Sequence, residues 1–187
     1  MELKTVYFDR PGKENTGATF RIARQRADEL GIKTVLVAST EGGNVAAAME
    51  TLQGLRVIMV THATGWKEPN SQEFAEESRR KFEEWGGVVL TTTHTFSGLS
   101  LAMRKKFNTF NIGDITAGTL RIFGEGVKVA CEIAMMAADG GLVRTDEDII
   151  AIGGTSRGAD TAVVFKPVNS HNFFDLKVRE ILCKPHF

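Results

Sequence analysis

Thr34-Val35-Leu36-Val37-Ala38-Ser39-Thr40-Glu41-Gly42-Gly43-Asn44-Val45-Ala46 decides the fold of this 187-residue chain. Residues 33–38 are nearly all apolar, as in a strand covered on both faces, and the polar, glycine-bearing hexapeptide 39–44 follows at once. An alanine-rich helix to about residue 52 and a strand over 56–61 complete a strand, loop, helix, strand unit. That order is the signature of parallel βαβ winding. The hexapeptide has a physical reason to hold phosphate. Its glycines let successive N–H groups curl around an anion, Ser39, Thr40 and Asn44 add donors, and the next helix offers its positive end. Ser39, Thr40, Gly42, Gly43 and Asn44 are therefore candidate phosphate ligands. The loop has no Walker lysine and is not GxGxxG, which counts against nucleoside-triphosphate and dinucleotide sites. An ordinary strand-to-helix turn with a capping hydroxyl is the alternative.

Working outward, the same alternation continues. Upstream lie a strand over 3–8, the turn Arg10-Pro11-Gly12, and a helix capped by Asn15 or Thr16. Phe20, Ala23, Ala27 and Leu30 form its apolar stripe and Gly31 stops it. Downstream, residues 62–70 form a loop long enough for a function of its own, and Ser71 caps a helix with Phe74, Ser78, Phe82 and Trp85 on one face. Gly86-Gly87 ends it before a strand over 88–92. Glu73, Glu76, Glu77, Glu83 and Glu84, interleaved with Arg79, Arg80 and Lys81, read as the solvated face of that helix. Residues 94–124 have poor periodicity and recurrent glycines, which predicts short helical pieces in a surface excursion. A helix over 125–139 is apolar on most sides and hence buried. The strand 148–152 is followed too closely by 162–166 for a parallel crossover, so that pair is antiparallel. Residues 173–182 can form a further edge strand beside 3–8; the sequence fixes neither its partner nor its register. The prediction is an α/β fold with a mixed, mostly parallel sheet, in a single domain over 1–187.

Lys plus Arg and Asp plus Glu balance at 23 each, so no basic field holds a nucleic-acid backbone or an anionic membrane. Cys131 and Cys183 make no CxxC pair and read as a buried small residue and a spare thiol. No basic-then-apolar leader opens the sequence, and no apolar run approaches the ~20 residues of a membrane span. The expectation is a cytoplasmic protein. No HxH or HExxH spacing occurs, and no metal site is expected.

In an open α/β sheet ligands sit at the carboxyl ends of the strands, where strand order reverses. The second candidate loop, 153–161, ends such a strand. Gly153, Gly154, Thr155, Ser156, Arg157 and Thr161 could close over the same phosphate with a bidentate guanidinium, although tight hairpins need glycines anyway. Thr61, His62 and His94 follow other strands, positions from which an imidazole can act as general acid or base or contact a ligand.

The quoted stretch, followed by a helix and Leu55-Arg56-Val57-Ile58-Met59-Val60-Thr61, resembles the C-terminal domain of pyruvate kinase. The similarity resumes over 148–166 and covers most of 18–166. The resemblance implies a three-layer α/β/α fold and a sheet of order 3-2-1-4-5 with the last strand antiparallel. It also implies a phosphate site between the two loops, which in some members of that family holds an allosteric sugar bisphosphate. Here Glu41-Gly42-Gly43-Asn44 replaces a Ser-Gly-x-Thr pattern. The catalytic barrel of pyruvate kinase, with its metal and potassium sites, has no counterpart in the sequence, so kinase activity is not carried over. Tyr7-Phe8-Asp9-Arg10-Pro11-Gly12-Lys13-Glu14-Asn15-Thr16 is similar to the leading stretch of stand-alone prokaryotic and archaeal proteins of this fold. The Ser/Thr-rich loop is also similar to the phosphate loop of flavodoxin-like proteins, which makes flavin mononucleotide (FMN) a candidate cofactor. Asn15, Thr61, His62 and His94 would then contact the rest of the ligand.

Three functional expectations follow. The first is binding of a phosphorylated small molecule, FMN or a sugar or nucleotide phosphate. The second is a flavin-dependent or acid/base enzyme using His62 or His94. The third is a ligand-free assembly domain forming a homo-oligomer, with Trp66 or Trp85 as an anchor, although helical spacing favours a core role for Trp85.

Overall fold

The computed structural model describes residues 2–186. Its strands are β1 (Val6–Phe8), β2 (Thr34–Ala38), β3 (Arg56–Val60), β4 (Val88–Leu90), β5 (Ile149–Gly153), β6 (Thr161–Lys166) and β7 (Lys177–Pro185). They form one seven-stranded sheet in the order β1-β7-β6-β5-β2-β3-β4. β2, β3, β4 and β5 run parallel, β6 is antiparallel to both neighbours, and β7 pairs with β1 in parallel. The five strands β4-β3-β2-β5-β6 thus keep the predicted order 3-2-1-4-5, with β4 at the edge, and the two terminal strands extend the sheet beyond β6.

Alternation along β2 builds the layers. Val35 and Val37 face one side, with Phe20, Ala23 and Ala27 of α1 (Thr16–Leu30), Val45 and Ala48 of α2 (Val45–Thr51) and Phe82 of α3 (Glu76–Glu84). Leu36 faces the other, covered mainly by α6 (Glu125–Asp139). Every residue from Val35 to Val37 is fully buried, which is why a continuous apolar run and not an alternating one codes this strand. Helix α6 lies so close to the end of β5 that a Cβ on Gly153 would come 2.4 Å from the carbonyl oxygen of Gly126.

The structure corrects the expectations for Ser71, for the strand at 88–92 and for the start of the C-terminal strand. Ser71 does not cap a helix; α3 begins at Glu76, and the Ser71 hydroxyl donates to the Glu68 carbonyl. Residues 71–75 are held instead as an irregular segment: Gln72 donates to the His62 carbonyl and accepts from the Phe74 N–H, and the Ala75 N–H donates to Glu41. Glu73 consequently leaves the solvated helix face. Residues 94–124 do form the expected short helical pieces, two ten-residue helices, α4 (Gly98–Phe107) and α5 (Ile112–Arg121). A left-handed Asn108 closes α4, and a capping box of Asn111 and Asp114 opens α5. The predicted strand at 88–92 is three residues long, and β7 starts later than residue 173 because a 3₁₀ turn, Ser170–Asp175, precedes it. No helix among the described residues is long and apolar enough to cross a membrane.

Candidate functional site

The carboxyl ends of β2, β3 and β5 open into a cleft of about 730 Å³, within the roughly 300–1,000 Å³ usual for small-molecule sites. The β2–α2 loop forms one wall and the β5–β6 loop the opposite one. Gly42 is where the first loop turns: its φ is +93°, and a Cβ there would meet Ser78 of α3 at 2.6 Å, so a side chain is excluded by both conformation and space. Ser39, Thr40, Gly43 and Asn44 line the first wall, and Gly154, Ser156 and Arg157 the second. The Arg157 guanidinium bridges to the Glu41 carboxylate across the mouth, holding that carboxyl below the usual carboxylate range.

The remaining predicted residues divide. Thr61, His62 and His94 line the cleft. Gly42, Gly153, Thr155, Thr161 and Asn15 do not belong to its lining. Asn15 donates to the Arg10 carbonyl, and Thr161 is buried with its hydroxyl bonded to Asp160. Asn44 lines the cleft, but its amide donates back to the Ala38 carbonyl and holds the loop in shape.

Asp160 organises the second wall. It is fully buried; Oδ2 accepts from the N–H groups of Gly12 and Thr155, each at 3.1 Å, and Oδ1 accepts from the Thr161 hydroxyl. The Ala159 N–H donates to Thr16 Oγ1. The leading Pro-Gly stretch therefore buttresses the β5–β6 loop from behind.

The floor is the part that sequence reading missed. Lys128 and Glu132 lie one turn apart on the buried helix α6, Nζ to Oε2 at 2.5 Å, with side chains only 6% and 4% exposed. Glu132 also accepts the Phe96 N–H through Oε1 at 2.9 Å, and His94 Nδ1 lies 3.8 Å from Oε2. Burial by itself would raise the Glu132 carboxyl; His94, the Lys128 charge and the Phe96 N–H outweigh it and bring the pKa down to about 2. His94 stacks on Trp66 with ring centroids 4.4 Å apart and planes at 20°, and its Nε2 is buried with no hydrogen-bond partner. A second imidazole, His62, lies 5.3 Å from His94 and bonds Glu73 Oε2 through Nδ1 at 2.8 Å. Arg121 and Glu125, paired at 2.6 Å, complete the charged lining. A single spacing signal was available: Lys128 and Glu132 stand at i and i+4 in an otherwise apolar helix.

The sequence profile of the family described as "Pyruvate kinase, alpha/beta domain" matches residues 17–165, most of the chain. The chain belongs to that family. Within the pyruvate kinase alpha/beta domain match lie both cleft loops and all of α6, while β1 and β7 fall outside it. Among the described residues no cluster of three or more His, Cys, Asp or Glu side chains is arranged to hold a metal ion.

Proposed function

We propose that the cleft binds a phosphorylated small molecule, with its phosphate between the β2–α2 and β5–β6 loops and its remaining part over Trp66 and His94. The observation that carries this reading is that the two loops line one cleft from opposite sides, with Arg157 at the mouth and the Lys128 ammonium on the floor. Ser39, Thr40 and Ser156 offer hydroxyl donors to a phosphate, and Arg157 offers a planar fork that suits it. The orphan His94 Nε2 is a further support, because a buried polar atom without a partner costs about 1–3 kcal/mol unless a ligand supplies one. FMN fits this layout well: a terminal phosphate for the loops and a flat ring system for the aromatic pair. Sugar and nucleotide phosphates satisfy the same loops. Titration with FMN, followed by flavin fluorescence and repeated with excess inorganic phosphate, tests the reading. Saturable binding relieved by phosphate is expected; an unsaturated signal, matched by absence of binding for a panel of sugar and nucleotide phosphates, refutes it.

A second reading, an acid/base enzyme, is favoured by the pairing of each imidazole with a carboxylate, His94 with Glu132 and His62 with Glu73. A carboxylate on one ring nitrogen orients the other toward a substrate proton. In this reading the His94→Gln variant binds ligand normally and loses turnover. Ligand binding and turnover lost together would leave His94 a binding residue only.

A further inference from the structure

Helices α4 and α5 are built with their small residues inward and their large apolar residues outward. Ser100 is the one buried residue of α4 and Ala117 the one buried residue of α5. On the outer side, Leu99 is 83% exposed, Phe107 63%, Phe110 71%, Ile112 73%, Ile115 61% and Ile122 73%. Leu99 and Phe107 stand two turns apart with Met103 between them, one stripe of α4, and Ile112 and Ile115 continue the apolar surface on α5. Leu99 and Ile112 border the same groove, so the two helices present one joined face.

We infer that this face is the contact between two copies of the chain, an isologous dimer formed through α4 and α5. The area argues for it. Six large side chains exposed to that degree present on the order of 800 Å² at ~200 Å² each. That exceeds the roughly 300–600 Å² patch of an ordinary monomer and equals the ~800 Å² that each partner contributes to a standard stable interface. Arg104, on α4, is paired with Asp114 on α5 at 3.2 Å and ties the two helices together. Lys105 and Lys106 fall at the polar rim of such a contact.

Sedimentation velocity from about 1 µM to about 100 µM, a range that brackets micromolar association, tests this directly. The expected result is a dimer throughout most of that range. The double variant L99E with I115E places two unpaired charges in the contact and is expected to weaken dimerisation at least about a hundred-fold, with an unchanged far-ultraviolet circular dichroism spectrum. Should the double variant fail to fold, Phe110→Ser, in the turn between the helices, is expected to weaken the dimer at least about ten-fold. A wild-type monomer at about 100 µM, the top of the range, or a dimer that survives these substitutions, overturns the proposal. A monomer that binds phosphatidylglycerol vesicles through this face also overturns it, in favour of a lipid surface.

Discussion

Lys128 and Glu132 form a 2.5 Å ion pair one turn apart on α6, nearly excluded from water and opening only on the cleft. The Glu132 carboxyl has a folded pKa of about 2 against 4.5 for an unperturbed glutamate. Between those values the unfolded chain carries a proton there that the native chain does not, so lowering pH favours unfolding. The stabilisation is complete above about pH 4.5 and is lost as pH falls toward about 2. Urea unfolding of wild type and Glu132→Gln across this window checks it. Near neutrality the wild type is expected to be the more stable by on the order of 3 kcal/mol, and the gap to shrink steadily on acidification. Parallel profiles would refute the ionised assignment.

Arg157 and Glu41 join the two walls of the cleft, and both are largely exposed, at 62% and 52%. An exposed pair of this kind holds little stability. On the proposed reading of the cleft, an incoming phosphate would compete with Glu41 for the guanidinium. Glu41→Gln should tighten phosphate-ester binding by a few-fold, because a competing anion is removed. Arg157→Ala should weaken it by several-fold to a few hundred-fold, the range for one lost hydrogen bond to a charged group. Equilibrium dialysis of both variants checks the two signs, and changes in the same direction would contradict this competition.

Asp160 is fully buried and accepts from Gly12, Thr155 and Thr161. Asp160→Asn replaces an acceptor with a group that also carries two donors, which those three donors cannot satisfy. A loss of about 1–3 kcal/mol in denaturant stability is expected, together with weaker ligand binding, because the β5–β6 loop loses its support. Affinity unchanged at reduced stability would show that this loop does not need the carboxylate to stay in shape.

Burial pushes the Cys131 thiol up to about 12 and the Cys183 thiol up to about 11. Neither presents thiolate near neutral pH, and both lie inside the core. Ellman's reagent is expected to find no reactive thiol in the native protein and two after guanidinium unfolding. Rapid native labelling would mean that the terminal strand β7, which carries Cys183, or helix α6, which carries Cys131, opens.

Much of the fold was legible because its signals are local. The unbroken apolar run from Val35 to Val37 announces a doubly covered strand, and the close spacing of β5 and β6 forbids a parallel crossover. The antiparallel pairing of Ile152 with Ala162 bears that out. The cleft walls were legible for the same reason, since glycine-bearing loops end β2 and β5. The floor was not. Lys128 and Glu132 sit among alanines and methionines, and periodicity registers only the apolar majority; the pair becomes visible when β2 and β5 bury that helix. Residues 94–124 were read only as short helical pieces, with no bounds, because glycines at 98, 113 and 118 mimic loop composition. Two of them face neighbours instead: a Cβ on Gly113 would meet Ser100 Oγ at 2.3 Å and one on Gly98 the Thr93 methyl at 2.7 Å. Tertiary approach, invisible along the chain, accounts for those two glycines.

Native mass spectrometry of the purified protein, with its visible absorption recorded before and after incubation with FMN, tests the central claim most directly. The cleft described above predicts a one-to-one adduct per chain, with FMN or another phosphate-bearing metabolite, that is depleted in Arg157→Ala. A chain that stays free of adduct with FMN and with a panel of sugar and nucleotide phosphates at millimolar concentration would contradict it.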